Sequence, residues 1–260
     1  MGIQWTGINI RSRQIIIFRK EVIMKLYIFS LIISTGPGNG DYILPLEMEA
    51  IATPEMRAEL KLQLMAESSY MTDYLRRKMN AEFSFDCRRI NLVCTNQKLR
   101  NKIFNYDSVH EIDIPFDAKY FSLTTIEEKQ AFLYDILTDG IKILCDLKGW
   151  DFSPWEKHLL ELRDSGFRVE HDFGGKKCRN GNLTAKLFGV HTMTENTCYV
   201  DFYRGRKMLQ RSFLRTAWAE IGRCMVQIDR MEWIDERTVA VYNYNNTEVY
   251  YATLQEENLG

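Results

Sequence analysis

The run Leu26 to Ile33 is apolar except for Ser30 and stops at the turn cluster Gly36-Pro37-Gly38-Asn39-Gly40-Asp41, so it reads as a buried β-strand. A short apolar segment, Tyr42 to Leu46, follows. Thr53-Pro54-Glu55 then has the order of a helix start: a capping hydroxyl, a proline at the first helical position and an early acid. Met56, Leu60, Leu64, Met71, Leu75 and Met79 keep roughly helical spacing and predict a helix over 54–79. From Phe83 to Cys94 the apolar positions alternate and change parity near Arg88-Arg89, the mark of a strand with a bulge. Val109 to Ile114 predicts a further short strand.

The clearest local signals come next. Thr125-Ile126-Glu127-Glu128 has the form of a capping box, and Leu133, Ile136, Leu137, Ile141, Leu144 and Leu147 form one helical stripe ended by Gly149. Ser153-Pro154-Trp155-Glu156 reads as a second capping box, followed by Leu159, Leu160 and Leu162 and stopped by Gly166. Together they predict an αα-hairpin over 125–165. Beyond Gly174-Gly175 the pattern has a period of two in 186–191, 197–203, 207–214, 224–233, 238–244 and 247–254, with Asn245-Asn246 as a tight hairpin turn. The expected class is α+β: an antiparallel β-meander in the C-terminal half, packed with a central αα-hairpin and an N-terminal helix. Residues 25–260 form one domain in this reading, and residues 1–24 are an extension. Met24, followed by Lys25, offers an alternative start.

Composition narrows the class without naming a chemistry. The chain has 260 residues, 45% of them hydrophobic and 27% charged, which excludes collagen-like and disordered classes. Its net charge of −1 conceals an uneven distribution: residues 176–223 sum to +7 and residues 224–260 to −5. The six cysteines at 87, 94, 145, 178, 198 and 224 form no CxxC and read as free thiols in the cytoplasm. Arg11, Arg13, Arg19, Lys20 and Lys25 precede the apolar run as they would in a signal peptide, but eight residues cannot span a bilayer, and no membrane association is expected.

Four sets of residues invite a chemical reading. His171, Cys178, His191 and Cys198 offer imidazole and thiolate donors suited to zinc, at spacings wider than those of compact zinc modules. His171-Asp172-Phe173-Gly174-Gly175-Lys176 lacks the order of a phosphate loop and reads as a glycine turn. The pairs Asp117 and Lys119, or Glu59 and Lys61, have the acid–x–Lys spacing of metal-dependent nucleases. Finally, Tyr199, Phe202, Tyr203, Arg204, Arg206, Lys207, Arg211, Phe213 and Arg215 interleave aromatic rings with cations. Such a cluster suits a protein interface or, less well, nucleic acid, and an ordinary half-buried meander also accounts for it. Tyr203, Arg204, Arg206 and Lys207 are the binding residues expected there, because Arg204-Gly205-Arg206 reads as a turn that presents side chains to solvent. Asp235 and Glu236 are the next candidates. No motif implies a cofactor.

Lys148-Gly149-Trp150-Asp151-Phe152-Ser153-Pro154-Trp155-Glu156, with the helices around it over 125–165, resembles a segment of uncharacterised bacterial proteins encoded beside polymorphic toxins and regarded as immunity proteins. The resemblance implies a non-catalytic protein that neutralises a cognate toxin by occluding its active site. The alternative is a metal-dependent hydrolase or nuclease.

Overall fold

A computed structural model describes residues 24–33, 53–95, 98–179, 181–218, 228–243 and 247–259. The expected turn at 36–41, the segment 42–46, the start of the 224–233 strand and the turn Asn245-Asn246 lie outside the described residues, as does most of the 1–24 extension.

The apolar run becomes β1 (Ile28–Ile33), which leads to the long helix α1 (Pro54–Glu82). Thr53 caps that helix, its hydroxyl accepting from the Met56 amide, and Leu64, Met71, Leu75 and Met79 are buried as the spacing predicts. The chain returns as β2 (Arg89–Thr95), followed by β3 (Ile103–Tyr106) and β4 (Val109–Pro115). These strands form one sheet in the order β1-β2-β4-β3. Both β1 and β4 run parallel to β2, and only β3 is antiparallel. β2 is a nearly continuous buried run, as expected of a strand covered on both faces. The predicted bulged strand over 83–94 is thus shorter: Phe85 makes only an isolated bridge to Met24, and the ladder starts at Arg89.

Helix α2 (Ile126–Lys148) has the capping box of Thr125 and Glu128 and ends at Gly149 in the left-handed conformation, φ 65°. It lies close against the sheet at Gly140, where a Cβ would come within 3.0 Å of Leu92 and 3.1 Å of Ile114. Helix α3 (Ser153–Asp164) starts differently from the predicted capping box. Phe152 occupies the cap position without a side-chain bond, and Asp151 instead accepts from the Ser153 amide and hydroxyl at 3.0 and 2.8 Å. An acid two residues upstream competed successfully with Ser153 for the cap.

The C-terminal half is antiparallel as expected. β5 (Val169–Lys177), β6 (Thr184–His191), β7 (Glu195–Arg204) and β8 (Lys207–Trp218) form a four-stranded meander in sequence order. β9 (Ile228–Trp233), β10 (Thr238–Asn243) and β11 (Val249–Thr253) form a second, three-stranded meander. Residues 171–176, read from sequence as a glycine turn, lie instead within β5, and their irregularity is a register shift between Asp172 and Gly175.

Two groups of buried side chains follow. The first joins the mixed sheet to the three helices and includes Leu92, Ile114, Leu137 and Trp155. The second lies between the two antiparallel sheets and includes Val200, Phe202, Val239 and Val241.

Polar contacts also hold α1 to α3. Glu161 Oε2 accepts from the Tyr74 hydroxyl at 2.9 Å and lies 3.0 Å from His158 Nδ1 and 3.3 Å from Lys78 Nζ. His158 Nε2 faces Glu82 Oε1 at 3.1 Å. The hydrogen bond from His158, aided by Tyr74 and Lys78, lowers the Glu161 pKa to about 2. A folded-state pKa below the unfolded one gives stability that is fully present above about pH 4.5 and is lost as pH falls towards 2. With 40% of its side chain exposed, Glu161 is screened by solvent, and the expected contribution is about 1 kcal/mol. Urea titrations of Glu161→Gln and the parent should therefore differ by about that amount at pH 7 and converge only as pH falls to about 2. An equal difference at both pH values would remove Glu161 from the pH response.

Candidate functional site

The meander turns one face to the second core and the other outward. Along β7, Cys198, Val200 and Phe202 point inward and are fully buried. Tyr199, Asp201 and Tyr203 alternate with them and so take the outer face. Strand register then sets the outer neighbours: Tyr199 lies between Phe188 and Phe213, and Asp201 between Lys186 and Arg211. The Arg211 guanidinium donates Nε and Nη2 hydrogen bonds of 2.7 Å to the two oxygens of Asp201, whose side chain is 2% exposed. It also stacks between the rings of Phe188 and Tyr199, 4.5 and 5.2 Å from their centroids. Phe213 packs edge-on against Tyr199, yet 61% of it faces solvent, and Met208 is half exposed.

The residues singled out in the sequence divide accordingly. Tyr203 joins this outer face, with Lys186 Nζ 5.4 Å from its ring centroid. Arg204 and Lys207 close the turn between β7 and β8, and together with Arg206 they are exposed at its tip. Phe202 belongs to the core, where it meets Trp233. Arg215 reaches across to the Tyr250 hydroxyl at 2.6 Å. Asp235 serves a turn: its Oδ1 accepts from the Arg237 and Thr238 amides, both at 2.7 Å. The pairing of Phe188 with Tyr199 depends on register and has no local signal in the sequence.

The suggested zinc set does not converge. His171 and His191 approach to 6.4 Å between ring centroids, whereas Cys178 and Cys198 are buried in or beside the second core. Asp117 caps a short 3₁₀ helix (Ala118–Ser122) and pairs with Lys119 at 3.0 Å, and Glu59 and Lys61 lie along α1. Among the described residues, Asp86, Cys87 and His110 do bring potential metal-ligating atoms within 4.8 Å of one another. The charge a metal would supply is already there, because the Lys148 ammonium pairs with Asp86 and lies 3.2 Å from His110 Nε2. Burial pushes the Cys87 thiol up to about 12, which opposes a thiolate. This cluster is an ion-pair network under the end of α2.

A cleft of about 680 Å³ lies where β1, α1 and β5 meet. Met65, Ser68, Ser69, Thr72, Asp73, Arg76 and Arg77 line it from one stripe of α1 at helical spacing. Asp73 bonds the Nε of Arg76 at 3.1 Å and pairs with the Nε of Arg77 at the same distance. Burial works against its charge, but the Arg76 hydrogen bond and both guanidinium charges outweigh it and hold the carboxyl below its usual range. Arg77 Nη2 lies 3.2 Å from His171 Nε2. An arginine can only donate, so that nitrogen accepts, and the His171 proton resides on Nδ1. Burial first, then the Arg77 charge, lower His171 to about 3, and burial lowers His191 to about 4. Both rings are therefore neutral at pH 7.

No family model, curated protein or solved structure matches the chain. No described helix is long and apolar enough to cross a membrane.

Proposed function

We propose that this protein is a non-catalytic binding module of the immunity type, which neutralises a cognate toxin by covering an acidic surface at or beside the toxin's active site. One observation carries the reading: the outer face of β5–β8 exposes Phe213 and Met208 beside Arg211, with Arg206 and Lys207 at its edge. Exposed aromatic and Met side chains grouped with Arg are the composition of interface centres rather than of ordinary surface. The excess of positive charge in residues 176–223 selects an acidic partner and steers its approach. The resemblance over 125–165 supports a toxin as that partner. Cys87, Cys94, Cys145 and Cys178 are buried free thiols, in keeping with a cytoplasmic setting where thiols stay reduced.

The test is calorimetric titration against the product of a toxin gene adjacent in the genome. Affinity should fall as salt rises, and Phe213→Ser combined with Arg206→Glu should weaken binding by tenfold or more, about 1.4 kcal/mol. A change below about 0.5 kcal/mol, that of an ordinary surface substitution, would overturn the assignment of this face. A substrate-processing activity abolished by a single acidic substitution would overturn the binding reading itself.

A further inference from the structure

The cleft beside β1 is separate from the outer face of the meander, and its construction is not explained by stability alone. Its walls are apolar at Tyr27, Ile28, Leu31 and Phe173, and its volume suits a small organic molecule. Ser68 and Thr72, which line it, are polar side chains only 1% and 4% exposed. The hydroxyls of Ser68, Ser69 and Thr72 donate to helix carbonyls at 3.5, 2.9 and 3.1 Å, which leaves their oxygens as acceptors along the cleft. At one end Arg76 and Arg77 carry more N–H donors than Asp73 and His171 take up. Arg89 adds a third guanidinium from β2. His191 lines the same space at 3% exposure, and its buried Nε2 has no hydrogen-bond partner among the described residues. A buried ring nitrogen without a partner costs free energy unless something else completes it.

We infer that this cleft binds a small organic anion, with its oxyanion head on Arg76 and Arg77, its apolar body against Tyr27, Ile28 and Phe173, and a polar atom on His191 Nε2. The head is a carboxylate or a phosphate, either of which matches the arginine fork. Asp73 acts as a positioning residue, since its bonds fix the direction of both guanidinium groups.

The fluorescent probe anilinonaphthalene sulfonate carries an oxyanion on an apolar body, and N-phenylnaphthylamine presents the same body without the charge. Titrated into the full chain at pH 7, the sulfonate should bind at one saturable site, at least about tenfold more tightly than the neutral probe. Arg77→Gln should weaken the sulfonate by about tenfold or more and leave the neutral probe unchanged. Arg76→Gln repeats the test with the contact to His171 intact, should Arg77→Gln not fold. Displacement by octanoate or by octyl phosphate, but not by octanol, identifies the head. Equal affinity for the two probes, no saturable site, or arginine variants that bind the sulfonate like the parent would each overturn the inference.

Discussion

Trp155→Ala is expected to lower the unfolding free energy by about 3–5 kcal/mol, the range for truncating a buried aromatic side chain. Trp155 sits in the first turn of α3 at 1% exposure. Its ring lies 5.5 Å from that of Phe29 on β1 and 6.2 Å from that of Phe85. Phe85 in turn meets Trp150 edge-on at 5.5 Å, so the αα-hairpin, the first strand and the segment before β2 share one aromatic cluster. Helix ends and strand ends meet at this point, so the cavity left by alanine has little room to collapse. Urea unfolding followed by far-ultraviolet circular dichroism measures the loss. Trp155→Phe should recover much of it, because it keeps a ring in the cluster. A loss below about 1.5 kcal/mol would show that the cluster does not join these elements.

Arg211→Met is expected to cost about 3–5 kcal/mol, well beyond the effect of an ordinary surface substitution. Asp201 is nearly inaccessible, and its two carboxylate oxygens accept from the two nitrogens of Arg211. Removing the guanidinium strands a charge that water cannot reach. Replacing both partners removes the need for the pair, so Arg211→Met with Asp201→Leu should recover most of the stability. Thermal and urea unfolding of the two single variants and the double variant form the cycle that isolates the pair. Additive losses would mean that the contact contributes little, and the exposed portion of Arg211 would then matter to the proposed partner alone.

Elements that announce themselves locally were legible in the sequence. Thr125 with Glu128, the stripe from Leu133 to Leu147 and Gly149 define α2 nearly to the residue, because capping and periodicity act within a few positions. The parallel pairing of β1 with β2 was not legible, since nothing near Ile28 specifies Arg89 as its partner. β3 carries no local signal because its hairpin to β4 turns on Asp107-Ser108, where both residues take positive φ without the usual glycine. The two antiparallel sheets read as one meander, because periodicity gives strands and their faces but not which sheet each strand joins.

The candidate sites show the same limit. Tyr199, Tyr203, Arg211 and Phe213 could be singled out as a group because they are neighbours in sequence. Their arrangement around a buried Asp201 depends on register. Within the cleft, His171 and His191 are legible as metal donors, but the polar stripe of α1 is not, since Ser69, Asp73 and Arg76 at helical spacing look like any solvated face. The available signal was a second stripe, Ser68, Thr72 and Arg76, beside the apolar one on the same helix.

The pairing of Ile28 with Arg89 also bears on the order of assembly. The ends of β1 and β2 must find each other across the whole of α1, a long loop closure that yields no ladder until it is complete. By contrast, β7 and β8 meet at Arg204 and Lys207 and can zip together from a turn. The half of the chain that a ribosome releases first is therefore the half with the slower closure, and its aromatic cluster lacks a member until Trp155 has been made. Until then the Phe29 side of β1 lacks the ring that covers it in the folded chain, and such transiently uncovered apolar surface is what a nascent chain most needs to keep from its neighbours.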